Sequence, residues 1–163
     1  MKVKSKTKIK SLSELKTMVG SLRRRKKIVF TNGCFDILHR GHIQYLGQAK
    51  EKNSVLIVGL NSDASVRRIK GRARPIFNQN DRARLLSALP FVDFVVIFNE
   101  STPIKLIRAL KPDVLVKGAD WKGKGVVGSE LIKSWNGKVR LIPYLKGYST
   151  SSIISRIYKS CKK

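Results

Sequence analysis

Acidic residues are scarce in this chain. Ten Asp and Glu stand against 35 Lys and Arg, a formal net charge of +25 over 163 residues. Such a balance attracts phosphates of any kind, whether on nucleotides, nucleic acid or anionic lipid heads, without choosing among them. Cysteine is also sparse: Cys34 and Cys161, far apart, make neither a disulfide framework nor a zinc site and fit a reducing compartment. No apolar run approaches the roughly 18 residues that span a membrane. The lysine-rich N-terminus is not followed by the apolar core of a signal peptide. The expected compartment is therefore the cytoplasm, with no membrane partner expected. Aromatic residues are 7%, with no cluster on which bases could stack, so nucleic acid is the disfavoured phosphate partner. Internal repeats and Pro- or Gly-rich linkers are missing too. What remains is one domain of ordinary size, long enough to bury a core without staples.

Much of the positive charge is local. Residues 1–27 hold 11 basic residues and one acid, Glu14, and Arg23 to Lys27 is an unbroken basic run. The plainest reading of that run is a solvated face. Residues 1–10 alternate with lysine and are expected to be a flexible basic tail. A domain over 11–160 follows. It opens with Ser11-x-x-Glu14, a capping box, and with Leu12, Leu15, Met18, Val19 and Leu22 at helical spacing. That pattern predicts a helix over 12–25.

Beyond it, apolar runs alternate with helical patterns. Strands are expected at 28–31, 55–60, 94–98, 114–116 and 139–142. Helices are expected at 41–52, 62–69, 80–89, 102–110, 128–135 and 150–159. The strands are continuous apolar runs, as when helices cover both faces. The fold class is therefore α/β: a doubly wound, mainly parallel five-stranded sheet with helices on both faces, Rossmann-like. Ligands in such folds sit beyond the carboxyl ends of the strands. The loops after Thr31, Leu60, Val116 and Pro143 are thus the places to look for chemistry.

The first of these loops holds the only two histidines, His39 and His42, with Gly41 between them. Three residues apart on a helical turn, they share a face. Gly33 lets the backbone approach a ligand, and Gly41 opens room for a phosphate at a helix N-terminus, where free N–H groups favour an anion. Two imidazoles aimed at one phosphate can stabilise the charge that develops as phosphorus becomes five-coordinate. A metal pair would need i, i+4 spacing or further ligands, and none stand out, so no metal-ligating residues are assigned.

The segment FTNGCFDILHRGH at 30–42 resembles the H-x-G-H nucleotidyltransferase superfamily, which includes glycerol-3-phosphate and choline-phosphate cytidylyltransferases and pantetheine-phosphate adenylyltransferase. GLNSDASV at 59–66, RIKGRARP at 68–75, Asn80-Asp81-Arg82, LVKGADW at 115–121 and GYSTSSII at 147–154 extend the likeness from about Ser11 to Ile157. Together they are similar to the adenylyltransferase domain of the bifunctional heptose enzyme. That resemblance implies transfer of AMP from ATP to D-glycero-D-manno-heptose 1-phosphate, with Mg²⁺ on the triphosphate. It also implies a homodimer and, since no kinase domain precedes the motif, a free-standing form.

Residue roles follow from the matched motifs. His39 and His42 would stabilise the transferring phosphoryl group, and Lys70 would neutralise departing pyrophosphate. Asn32, Gly33, Cys34, Phe35, Gly41, Lys117, Gly118, Asp120, Ser149, Thr150 and Ser151 would hold the nucleotide. Asp36, Asn61, Asp63, Arg74 and Arg82 would contact the acceptor substrate. Simpler readings stand beside several of these: Lys70 as one more surface lysine, Ser149 to Ser151 as helix caps, Trp121 and Trp135 as packing residues. One departure bears on the nucleotide. The glycerol-phosphate cytidylyltransferase pattern has an arginine where this chain has Tyr144. A cytidylyltransferase acting on a small phosphate ester is the enzymatic alternative, and a basic nucleic-acid-binding protein on the same fold is the non-enzymatic one.

Overall fold

The computed structural model describes residues 8–119, 123 and 125–162. Asp120 and Trp121, singled out above, lie outside the described residues. Helix α1 (Leu12–Leu22) precedes β1 (Lys27–Gly33), α2 (Arg40–Ala49), β2 (Ser54–Asn61) and α3 (Asp63–Lys70). Then come α4 (Gln79–Ala88), β3 (Phe94–Phe98), α5 (Ile104–Leu110), β4 (Val114–Gly118), α6 (Ser129–Ser134), β5 (Lys138–Ile142) and α7 (Thr150–Ser160). The five strands pair in parallel in the order β3-β2-β1-β4-β5. From central β1 the chain winds outward to β2 and β3, then crosses back to β4 on the other side. That reversal opens a crevice between the carboxyl ends of β1 and β4, the switch point of a doubly wound sheet.

Alternation along the strands divides the interior into two cores. Ile28 and Phe30 of β1 and Val55 and Ile57 of β2 pack with Leu15 and Val19 of α1, Leu106, Ile107 and Leu110 of α5, and Ile132 of α6. Val29, Leu56 and Val58 turn the other way, onto Leu46 and Ala49 of α2 and Ala83 and Leu86 of α4. All eight residues of β2 are buried, which is why that strand reads as an unbroken apolar run rather than an alternation. Each fully buried Leu or Ile contributes about 1.5–3 kcal/mol relative to an exposed one.

Two expectations need correction. The N-terminal helix stops at Leu22 rather than at residue 25, because Arg23 leaves the helix to cap another one. Its Nη2 donates to the carbonyl oxygens of Leu110 (2.7 Å) and Lys111 (2.8 Å), the free end of α5, and its Nη1 reaches Asp113 at 3.3 Å. Asp113 also accepts the Ile28 N–H at 2.7 Å and so fixes the start of β1. The basic run is therefore partly structural, not wholly a solvated face. The basic tail, second, is not free along its whole length: Ile9 bridges Val95 in parallel, with the Lys10 N–H on the Val95 carbonyl and the Val95 N–H on the Lys8 carbonyl, both at 2.9 Å. Elsewhere element ends shift by three residues or fewer. Among the described residues, no helix is long and apolar enough to cross a membrane.

Candidate active site

The junction between β1 and α2 is tightly shaped. Asn32 and Gly33 end the strand, and His39 is the N-cap of α2 with no side-chain cap bond. Between them Phe35 (φ 44°) and Ile37 (φ 51°) adopt left-handed backbone, an unfavourable choice for residues with a Cβ and rarer still for a branched one. That bend brings the two imidazoles face to face. The rings of His39 and His42 lie 3.8 Å apart between centroids, 20° from parallel, and Phe35 meets His42 edge-on at 5.3 Å. Gly41 makes the stack possible. A Cβ there would come within 3.0 Å of His39 Cε1, 3.1 Å of its Nδ1 and 3.2 Å of Tyr148 Cβ. The room that Gly41 leaves is thus occupied by the His39 ring and the Tyr148 loop.

Burial pushes the His42 imidazole down to about 4, with repulsion from a charged His39 adding to it and Asp36 opposing. Burial also lowers His39. Both rings are therefore neutral at pH 7, as two cations stacked this closely would repel. The Nδ1 atoms of both are buried and make no hydrogen bond among the described residues. A buried polar nitrogen without a partner is destabilising.

Asp36 ties this junction to the rest of the site. Its buried carboxylate accepts the Ile76 N–H (2.8 Å), the Phe77 N–H (2.9 Å) and Arg74 Nε (2.8 Å). Burial alone would raise this carboxyl, but the Phe77 and Ile76 amides and the Arg74 guanidinium outweigh it and hold it below its ordinary value. The basic loop that follows Lys70, the last residue of α3, is held by this carboxylate. The Asp36 carbonyl oxygen in turn accepts the Thr150 hydroxyl at 2.8 Å, which docks the first turn of α7.

These groups surround one cleft of about 820 Å³. Asn32, Gly33, Cys34, Phe35, Asp36, His39, Gly41, His42, Asn61, Lys70, Arg74, Lys117, Gly118, Ser149, Thr150 and Ser151 all line it. Within it, buried Lys117 at the end of β4 donates to Asn32 Oδ1 across the switch point. Ser149 caps α7 by accepting the Ser152 N–H at 3.1 Å, so its hydroxyl is engaged as a cap. Cys34 is a thiol raised by burial, part of the wall rather than a nucleophile.

Asp63 and Arg82 do not line the cleft. Arg82 is buried, and its donors go to the carbonyl oxygens of Phe77 (2.9 Å), Cys34 (2.6 Å) and Asn61 (2.9 Å) and to Asp63 Oδ1 (2.7 Å). It braces the floor by joining three cleft-forming segments. Asp120 lies outside the described residues. Sequence reasoning missed Tyr45, Ser101 to Pro103 and Val127, all on the cleft wall; the Leu145–Gly147 loop with Tyr148, also on the wall, follows Pro143, where a ligand loop was expected, although none of its residues was assigned a role. Tyr45 was findable: it follows His42 by three residues on the same helix face, and its hydroxyl bonds Thr31 Oγ1 at 2.7 Å. The Ser101–Pro103 segment follows β3, so the strand-end rule pointed there too.

A parallel sheet with a glycine-spaced histidine pair at its switch point defines a nucleotidyltransferase-type α/β domain. The chain belongs to the cytidylyltransferase-like family, whose pattern matches residues 30–156. It is 60% identical over 150 residues to the bifunctional protein HldE of Campylobacter concisus, a match covering 92% of this chain and 31% of that protein. It is 60% identical over 137 residues to the bifunctional protein HldE of Helicobacter pylori strain Shi470, covering 84% and 29%. The chain thus spans about a third of the length of the curated relatives it matches. Among solved structures, it is similar to the lipopolysaccharide core biosynthesis protein from Thermoplasma volcanium, with 33% identity and a TM-score of 0.60 over 76% of this chain and 98% of that one. Pantoate-beta-alanine ligase from Francisella tularensis, at 20% identity and a TM-score of 0.61 over 95% of this chain and 79% of that one, shares the fold.

Proposed function

We propose that this chain transfers AMP from ATP to a sugar 1-phosphate, D-glycero-D-manno-heptose 1-phosphate, releasing pyrophosphate and an ADP-sugar. The stacked, neutral pair of His39 and His42 at the cleft carries the reading. A phosphate oxygen of the sugar attacks the α-phosphorus of ATP in line, the new P–O bond forms, and the bond to pyrophosphate breaks. No covalent enzyme intermediate is needed. The protein positions two anions and neutralises the charge that develops. His42 and His39 face the transferring phosphoryl group, and Lys70 draws off charge on the leaving pyrophosphate. Asn32 to Phe35, Lys117, Gly118 and the α7 N-terminus hold the nucleotide. The likeness of the five motifs to the adenylyltransferase domain of the bifunctional heptose enzyme supports the heptose acceptor.

Magnesium enters this proposal as part of MgATP. Among the described residues no three His, Cys, Asp or Glu side chains cluster to hold an ion, and the Asp36 and Asp63 carboxylates are both engaged with arginine. No step is assigned to a resident ion.

Pyrophosphate release, measured for ATP and CTP separately against a panel of sugar 1-phosphates and glycerol 3-phosphate, tests the assignment. ATP with a heptose 1-phosphate is expected to give the highest kcat/KM. Adenine and cytosine present different hydrogen-bonding edges, and each buried polar group left unpaired costs roughly 1–3 kcal/mol. Two mismatches would favour ATP about 30-fold or more. Equal or better use of CTP would overturn the adenylyl assignment.

A further inference from the structure

The last helix is built unlike the others. Each of α1 to α6 buries at least one side chain, whereas α7 buries none. Yet its sequence is amphipathic. Ile153, Ile154, Ile157, Tyr158 and Cys161 fall at i, i+1, i+4, i+5 and i+8, one stripe of a 3.6-residue helix. Ile153 and Ile154 are half-buried against the body, but Ile157 is 55% and Tyr158 61% exposed. The apolar stripe therefore runs off the domain and faces solvent over its second half. Basic side chains accompany it. From Thr150 to Lys163 there are four Lys and Arg and no acid. Arg156 and Lys159 are exposed, and Lys162 Nζ sits 4.5 Å from the centroid of the Tyr158 ring.

We propose that the exposed half of α7 docks on an anionic lipid bilayer, with Ile157 and Tyr158 in the interface and Arg156, Lys159 and Lys162 on the headgroup phosphates. Charge complementarity selects this occupant. A second copy docked two-fold on this stripe would set its own Arg156, Lys159 and Lys162 against the same cations, with no acid on either helix to pair them, which repels. Nucleic acid would satisfy the cations but offers no apolar phase for an isoleucine. An anionic membrane meets both demands at once: lysine and arginine gain from its negative surface potential, and the apolar stripe gains from the acyl boundary. The first turn of the same helix is bound to Asp36 through Thr150, so docking would hold the cleft close to the membrane surface. This role is independent of the nucleotide and sugar the cleft accepts.

Co-sedimentation of the full chain with phosphatidylcholine vesicles, with and without phosphatidylglycerol, tests the idea. Binding is expected only with the anionic lipid. The double change Ile157→Ser, Tyr158→Ser should weaken it on the order of tenfold or more, since several methylenes leave the interface. Changing Arg156, Lys159 and Lys162 to Gln should weaken it comparably and reduce its salt dependence. All five side chains are exposed, so circular dichroism and thermal melting should match the parent. Failure to bind anionic vesicles would overturn the proposal, and so would binding that the serine variant retains in full. Sedimentation velocity and poly(U) binding complete the test: a dimer that the serine variant splits, or RNA binding without vesicle binding, would assign the face to another occupant.

Discussion

His39 and His42 stack in parallel with 3.8 Å between ring centroids, and neither Nδ1 has a hydrogen-bond partner among the described residues. The arrangement is stable only while the rings are uncharged. In the unfolded chain His42 takes up a proton near its ordinary value of 6.5, whereas in the fold it does so only at about 4. Between those values the unfolded state binds more protons, so stability falls as pH falls. Above 6.5 both states are neutral, and below about 4 both are charged, so the effect is confined to that window. A shift of this size corresponds to about 3 kcal/mol. Urea unfolding between pH 7 and pH 4.5 is expected to show the decline, with His39 adding in the same direction. In His42→Gln the slope should be markedly shallower. Asp36 titrates at lower pH, outside this interval, because its carboxyl is held below its ordinary value. An unchanged slope in the variant would remove His42 as its source.

Gly41 offers a sharper test of the stack itself. A Cβ at 3.0 Å from His39 Cε1 and 3.2 Å from Tyr148 Cβ cannot be accommodated without moving one of them. The His39 ring is at the mouth of the cleft and can move, whereas the helix around Gly41 has ordinary geometry. Gly41→Ala is therefore expected to fold, with a melting temperature within a few degrees of the parent, yet to lose roughly 3- to 10-fold in kcat, less than the ~100-fold of a full 1 Å misplacement because the ring need give only by a few tenths of an ångström. Steady-state pyrophosphate release together with thermal melting checks it. Parent-like turnover would mean that the histidine stack is not needed for catalysis.

The fold was largely legible in the sequence because its strands are buried on both faces. VLIVGL announces β2 without ambiguity, and the Ser11–Glu14 capping box marks the start of α1. Helix ends were harder. Arg23 reads as the last turn of α1, and only the position of Leu110 and Lys111 shows it as the cap of α5, 87 and 88 residues away. At the site, the loop from Asn32 to His42 was visible as a local pattern. The bracing by Arg82 was not: a buried arginine joining Cys34, Asn61, Asp63 and Phe77 is a property of tertiary contacts, and by sequence it reads like any polar residue near a phosphate site. The loop after Pro143 was expected from its strand end, but the seat of Tyr148 on it was not, since that depends on Arg40 and Gly41 beneath it.

The basic run at 23–25 lies at the amino end of β1, opposite the cleft. Arg24→Gln and Arg25→Gln are expected to leave kcat/KM nearly unchanged at physiological salt. Arg23→Gln differs, since it frees the last carbonyls of α5 and the Asp113 contact. With a partly exposed guanidinium the expected loss is about 1–2 kcal/mol of unfolding free energy, again with parent kcat. Urea melts and steady-state rates on the three single variants separate the two roles. A large fall in kcat/KM for Arg24→Gln, relieved at low salt, would instead indicate long-range steering of anionic substrates.

Lys70 and Asp36 should separate chemistry from scaffolding. Lys70 is exposed, lines the cleft, and ends α3 just before the loop that Asp36 holds through Arg74, Ile76 and Phe77. Its side chain supports no packing, so Lys70→Gln is expected to melt like the parent. If it neutralises leaving pyrophosphate, kcat should fall on the order of 10- to 100-fold, with a smaller change in KM for ATP. Asp36→Asn removes the charge from a fully buried carboxylate while Arg74 stays charged. Breaking one partner of such a pair costs about 3–5 kcal/mol. That variant should therefore lose stability as well as turnover, because the loop that leaves α3 at Lys70 is no longer anchored. The double variant is informative: once the loop is free, removing the lysine should cost less than it does alone, so the two losses in kcat should not multiply. Full multiplicativity would show that Asp36 does not act through Lys70, and parent-like kcat in Lys70→Gln would make it an ordinary surface lysine.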